Sequence, residues 1–144
     1  MNRYDCFWER FKELISDNEY SVKDLENKTG LNHTVIYSYL NKVHIPDLNN
    51  AIIIADLFGC PLDFLFGFTD DFTPQRYVLS ASVTERFKKA VDNSIYSRYK
   101  IAKMTKIAGE QISRWYNGKQ TPTLASLVII ADKLECSLDF LAGK

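Results

Sequence analysis

The chain has 144 residues, 46% of them hydrophobic and 25% charged, which is ordinary for a soluble globular protein. No apolar run approaches the ~18 residues of a membrane span, and Met1-Asn2-Arg3-Tyr4-Asp5 is no signal peptide; a cytoplasmic location is expected. The formal net charge of zero hides a split: residues 1–72 carry six Lys/Arg against twelve Asp/Glu, net −6, and residues 73–144 the reverse, net +6.

Apolar spacing reads as helix throughout. Phe7, Phe11 and Ile15 recur every fourth residue and predict a first helix. Ser21-Val22-Lys23-Asp24 opens a second with a capping residue. Gly30 breaks the pattern and a third helix begins near Asn32. Leu31, Ile36 and Leu40 anchor that helix, leaving His33, Thr34, Tyr37 and Ser38 outward. Asn41 ends it, and Pro46 bars continuation. Phe68-Thr69-Asp70-Asp71-Phe72-Thr73-Pro74 is turn-rich, and a linker is expected over residues 69–81, with Val78 and Leu79 packing locally. Ser82-Val83-Thr84-Glu85 has the capping-box form and starts a helix through Phe87 and Val91. Ile107, Ile112 and Trp115 mark the inner stripe of a later helix whose outward residues are Gly109, Glu110, Ser113 and Arg114. Asn117-Gly118 and Pro122 close it. Leu124, Leu127, Ala131 and Leu134 predict another helix, and Ser137-Leu138-Asp139-Phe140-Leu141 a short last one. No stretch shows sustained strand alternation.

These elements repeat. Residues 9–67 return, shifted by 76 and without a gap, as residues 85–143, with 21 of 59 aligned positions identical. Two copies of one compact unit are implied, rather than a solenoid, whose periods are shorter. The expected division is 1–68, a linker at 69–81, and 82–144, all-α, about five short helices in each unit. A unit of this size buries only roughly 60% of its unfolded surface and is expected to be marginally stable alone.

The second and third helices of each unit are short and separated by three or four residues. That is helix-turn-helix spacing, in which the second helix of the pair can enter a major groove. Tyr99-Lys100-Ile101-Ala102-Lys103-Met104-Thr105-Lys106-Ile107, then Ile112 through Pro122, then Leu124 through Leu134 resemble a Cro/C1-type (XRE-family) helix-turn-helix domain. The resemblance covers nearly all of each unit. It implies two tandem five-helix, lambda-repressor-like domains, sequence-specific binding of double-stranded DNA, a repressor-like regulatory role and no enzymatic activity.

Position by position, the copies differ. Where the family often has Gln at the second residue of helix two, the copies have Val22 and Arg98; only Arg98 can grip a phosphate. A small residue is usual where the two helices close: the second copy has Ala102, the first the bulky acid Glu26. The tight turn has Gly30 in one copy and Lys106, expected at positive φ, in the other. Base-reading positions map to Asn32, His33, Thr34 and Ser38, and to Ala108, Gly109, Glu110 and Arg114, with Gln111, Ser113 and Lys119 beside them. Arg114 has the donors for a guanine edge, and Glu110 either accepts from cytosine or complements its helix dipole. Residues 98–119 hold six Lys/Arg against Glu110, net +5; residues 22–43 hold three against Asp24 and Glu26, net +1. The second head is therefore expected to dominate DNA binding.

The first copy ends in Leu62, Phe64, Leu65, Phe66 and Phe68, an aromatic surplus that either packs within the chain or serves a homodimer or protein partner. An alternative role for this copy is therefore a protein-interaction module, antirepressor- or antitoxin-like. His33 and His44 have no partner at metal spacing, and Cys6, Cys60 and Cys136 read as small buried thiols. No nucleophile–base pair, paired catalytic carboxylates, phosphate-cradling glycine loop or metal cluster is present, so no cofactor, metal or small-molecule substrate is expected.

Overall fold

The computed structural model describes residues 2–144. They form ten helices and no strand. The chain divides into two compact units, residues 1–77 and 78–144. The first holds α1 (Arg3–Asp17), α2 (Val22–Thr29), α3 (His33–Leu40), α4 (Leu48–Phe58) and α5 (Leu62–Leu65). The second holds α6 (Val83–Asn93), α7 (Arg98–Thr105), α8 (Gly109–Tyr116), α9 (Leu124–Leu134) and α10 (Leu138–Ala142).

The starts of the helices follow from side chains that satisfy the unpaired amides of a first turn. Ser21 accepts from the Asp24 amide at 3.0 Å while Asp24 accepts from the Ser21 amide at 2.9 Å, a complete capping box. Those two bonds hold the Asp24 carboxyl below its usual pKa. Ser82 caps the Glu85 amide at 3.1 Å, the half of the expected reciprocal pair that is formed there.

The turn between the paired helices is built the same way twice. Thr29 Oγ1 donates to the Leu25 carbonyl at 2.5 Å and accepts from the Leu31 amide at 3.1 Å. Its repeat equivalent Thr105 does this with Ile101 at 2.7 Å and Ile107 at 3.3 Å. Four turn positions are left-handed in both copies; at one of them both copies have glycine (Gly67 and Gly143), and at the other three one copy has glycine and the other a side chain. The pairs are Gly30 (φ 76°) with Lys106 (φ 61°), Gly118 (φ 74°) with Lys42 (φ 61°), and Gly59 (φ 67°) with Glu135 (φ 54°). The left-handed conformation costs a non-glycine residue about 1–2 kcal/mol, so packing imposes these turns against local preference.

Each core forms where the helices converge. In the first unit Phe7 stacks on Phe11 (5.5 Å between ring centroids) and on Phe66 (5.3 Å), and Tyr39 meets Phe7 edge-on at 6.0 Å. Phe66 is fully buried. The second unit has Val83 and Ala142 at the positions of Phe7 and Phe66, and its aromatic pair is Phe87 against Trp115 at 5.7 Å. Burying a side chain of this size stabilises by roughly 1.5–3 kcal/mol. A repeated arginine closes each unit. Arg10 lies 4.3 Å over the Phe64 ring and donates to the carbonyls of Phe64 and Thr69 and to Asp70. Arg86 lies 4.5 Å over Phe140 and donates to the carbonyls of Phe140 (3.0 Å) and Lys144 (2.9 Å).

The aromatic surplus of the first unit thus has partners inside it. Phe66 is in the core, Phe64 packs on Phe72 at 4.6 Å under Arg10, and Phe68 lies 3.9 Å beneath Arg3. Of the two readings of these rings, packing within the chain accounts for the contacts seen: each ring has an arginine or another aromatic side chain of its own unit against it. Residues 69–77 are fastened to the first unit. Asp56 accepts from Arg76 at 2.8 and 3.1 Å and from the Tyr77 amide at 2.8 Å, and Tyr77 is buried. The next residues belong to the second unit, where Ser80 and Ala81 amides donate to the Gly143 carbonyl at 2.6 and 3.1 Å. Val78 and Leu79 are 65% and 51% exposed, and Leu79 Cδ2 lies close to Gly143. Cys60 is buried, while Cys6 and Cys136 are only half-buried.

Candidate nucleic-acid interface

The surface of interest is the exposed side of α7 and α8. The amphipathic pattern of α8 turns Ile112 and Trp115 into the core and leaves Gly109, Glu110 and Arg114 exposed. Its N-terminal residue Ala108 has no side chain to cap the helix. Around Gly109 the space is open, with no atom within 4 Å of where a Cβ would stand. A helix start without a side-chain cap, open at Gly109 and with Arg98 and Lys103 beside it, is suited to receive an anion, although Glu110 lies in its first turn.

Those cations are present. Arg98, Lys100, Lys103, Lys106, Arg114 and Lys119 are all exposed. Arg98, Tyr99, Ala102, Lys103, Ile107, Gly109 and Ser113 line an open groove of about 560 Å³ between α7 and α8. Arg98, Gly109 and Ser113, chosen from sequence, therefore meet in one place. Lys106 sits on the turn, with φ 61° as expected. Gln111 faces another way: its amide donates to Gln120 Oε1 at 2.8 Å, beside a second groove lined by Trp115, Thr121 and Thr123.

Arg98 is further defined by Tyr116. Its guanidinium lies 4.5 Å from the centroid of that ring. The Tyr116 hydroxyl donates to Asp92 Oδ1 on α6 at 2.7 Å, which also raises the phenol's pKa. Lys88 Nζ lies 5.4 Å from the same ring. Neither Tyr116 nor Asp92 stood out in the sequence. The available signal was that both positions differ between the copies along with Arg98.

At the equivalent helix start of the first unit the amides are already bonded. Glu26 Oε2 accepts from the His33 backbone amide at 2.9 Å and lies 3.2 Å from His33 Nδ1. Asn32 Oδ1 accepts from the Thr34 amide at 2.8 Å. Two amides at the start of α3 are thus satisfied by the unit's own side chains, one of them a carboxylate. Ser38 turns its hydroxyl back to the Val35 carbonyl at 2.6 Å. Asn32, His33 and Thr34 remain exposed, together with Tyr37. The sequence-chosen residues of this unit lie along α3 with no cation on the helix.

Both helix pairs have the same dimensions. Each helix is eight residues long, and three residues separate the members of a pair. The helix-turn-helix family profile matches the chain twice, at residues 12–65 and 87–141. The chain belongs to the Cro/C1-type (XRE) helix-turn-helix family. Both matches coincide with the repeated units, so the family's DNA-binding, non-enzymatic kind of domain occurs twice in tandem. Comparison with curated proteins and with solved structures gave no match. Among the described residues no helix is long and apolar enough to cross a membrane.

Proposed function

We propose that the chain is a repressor-like transcriptional regulator with two helix-turn-helix heads, in which the second head is the principal reader of double-stranded DNA. The observation that carries this is the contrast at the start of the two recognition helices. The α8 start has no side-chain cap and lies beside the groove of Arg98, Lys103 and Gly109, whereas the α3 start is occupied by Glu26 and Asn32. Phosphate neutralisation supplies most non-specific affinity, and a +5 surface has far more of it to offer than a +1 surface. Arg98, Lys106 and Lys119 would hold the backbone, while Glu110, Ser113 and Arg114 face base edges. Selection of duplexes from a random pool tests this on the whole chain. Arg114→Ala should blur the selected motif, since a bidentate contact is worth about 1–3 kcal/mol of discrimination, and Ser38→Ala should leave it intact. A motif altered by Ser38→Ala but not by Arg114→Ala would contradict the assignment.

A second reading has its own support. The α3 helix itself has no Lys or Arg and exposes Tyr37 (47%), with Lys42 and Val43 (62%) just beyond it. That composition fits a protein partner better than a phosphate backbone. In this reading the first head binds a protein and the second binds DNA. Tyr37→Ala would then release a captured partner without changing DNA affinity; loss of DNA affinity instead would refute it.

A further inference from the structure

The ring of Tyr116 connects three helices. Its hydroxyl donates to Asp92 on α6, its face meets the Arg98 guanidinium from the start of α7, and its own backbone ends α8. Asp92 has a structural partner in this ring, and Arg98 remains exposed at the edge of the groove shared with Gly109 and Ser113. A long arginine side chain on a surface samples many rotamers, and each bond to a phosphate must overcome that freedom. A planar guanidinium resting on an aromatic face gives up part of that freedom before DNA arrives.

The first unit serves as an internal comparison. Asp92, Arg98 and Tyr116 align with Ser16, Val22 and Leu40, whereas Lys88 aligns with an identical residue, Lys12. The three linked side chains are present together in one copy and absent together in the other, while the neighbouring lysine is common to both. The fold itself therefore has no need of Tyr116, since leucine ends the equivalent helix. Only the copy with an arginine at the start of its second helix has the ring and the carboxylate.

We propose that Tyr116, anchored by Asp92, is a positioning residue that holds Arg98 at the edge of the α7–α8 groove for a DNA phosphate. This rests on the reading of the second head as the DNA reader. In the absence of a known operator, the probe is a fluorescently labelled mixed-sequence duplex, and the readout is the dependence of affinity on salt for the whole chain. Arg98→Ala should remove one phosphate contact, lowering the salt slope by about 0.9 and the affinity about eightfold at ~0.1 M salt. Tyr116→Leu, which installs the first unit's own residue, should reproduce most of that change. The double variant should show no further loss, and Tyr116→Phe should recover much of the slope because the face remains. Thermal melting of each variant identifies any that unfolds; in that event Asp92→Ala, which leaves the ring in place, should weaken binding by a smaller factor that vanishes in the Arg98→Ala background. A wild-type slope in Tyr116→Leu, or full additivity with Arg98→Ala, would overturn the positioning role while leaving the second head as the reader. An unchanged slope in Arg98→Ala would overturn both.

Discussion

At Gly143 the backbone has φ +104°, and a Cβ would lie 2.1 Å from the Ala81 carbonyl oxygen. The close approach exists because the Gly143 carbonyl receives both the Ser80 and Ala81 amides. Gly143→Ala combines a left-handed penalty of about 1–2 kcal/mol with an overlap against backbone that cannot swing aside. Urea denaturation should show a loss above ~2 kcal/mol for the second unit, in the range of severe single substitutions. Gly109→Ala is the control: nothing lies within 4 Å and the position is helical, so stability should rise by up to ~1 kcal/mol. Equal effects would contradict the geometry. At this scale the sequence was legible for residues whose role lies in their own chemistry. The exposure of Arg98 and Arg114 could be read from helical spacing, and the place of Lys106 on the turn from its alignment with Gly30. Glu26 could be read only as a misfit, since its partner is seven residues on in another helix and the turn geometry decides that they meet. Arg10 and Arg86 were legible as repeat equivalents but not as clamps on the last helix, a role that depends on carbonyls more than fifty residues away.

Pairs of helices show how one scaffold supports two surfaces. The α2–α3 and α7–α8 pairs share their threonine-clamped turn, yet a carboxylate from the preceding helix bonds a start amide of α3, whereas the start of α8 has no side-chain cap. Glu26→Ala should therefore do two things. Loss of the cap on the His33 amide should destabilise the first unit by about 0.5–2 kcal/mol. Affinity of the first head for DNA should rise, measurable by titrating a duplex into a chain that also carries Arg98→Ala and Arg114→Ala. No gain of affinity in that background would show that the carboxylate is a structural cap only. The α4 helix supplies a pH dependence. The Arg76 and Tyr77 hydrogen bonds lower the Asp56 pKa from its ordinary 3.8. A depressed carboxyl stabilises the fold fully above that ordinary value, and the contribution disappears as pH falls through the lower folded value. Hydrogen exchange at the Tyr77 amide should thus be slow at neutral pH and accelerate, relative to its intrinsic rate, below about pH 4. Protection that persisted through that range would exclude Asp56 as the fastening. Helix starts marked by serine, such as Ser21 and Ser82, were readable because capping is local in sequence. The fate of residues 69–81 was not, because Arg76 and Ser80 find their partners twenty and sixty-three residues away.

In the whole molecule, duplication of the fold and divergence of its surfaces are separate facts. The repeat was legible as an ungapped identity, and the family match falls on both copies. The charge split was equally plain, but the structure refines it. In the first unit Arg10 is engaged with Phe64 and Asp70, and Arg3 lies over Phe68, so neither is a free surface cation. Arg86 is engaged in the same way in the second unit, so the contrast between the units lies in their helix-turn-helix surfaces. The central claim is that DNA is held chiefly by the second head. The most direct test is the salt dependence of duplex binding by the whole chain, with cations removed from one head at a time. Replacing Arg98, Lys103 and Lys106 with alanine should lower the salt slope by about one for each lost contact. Replacing Lys23, Lys28 and Lys42 should leave it near the wild-type value. Equal reductions from the two sets would contradict the account and make the two heads equal readers.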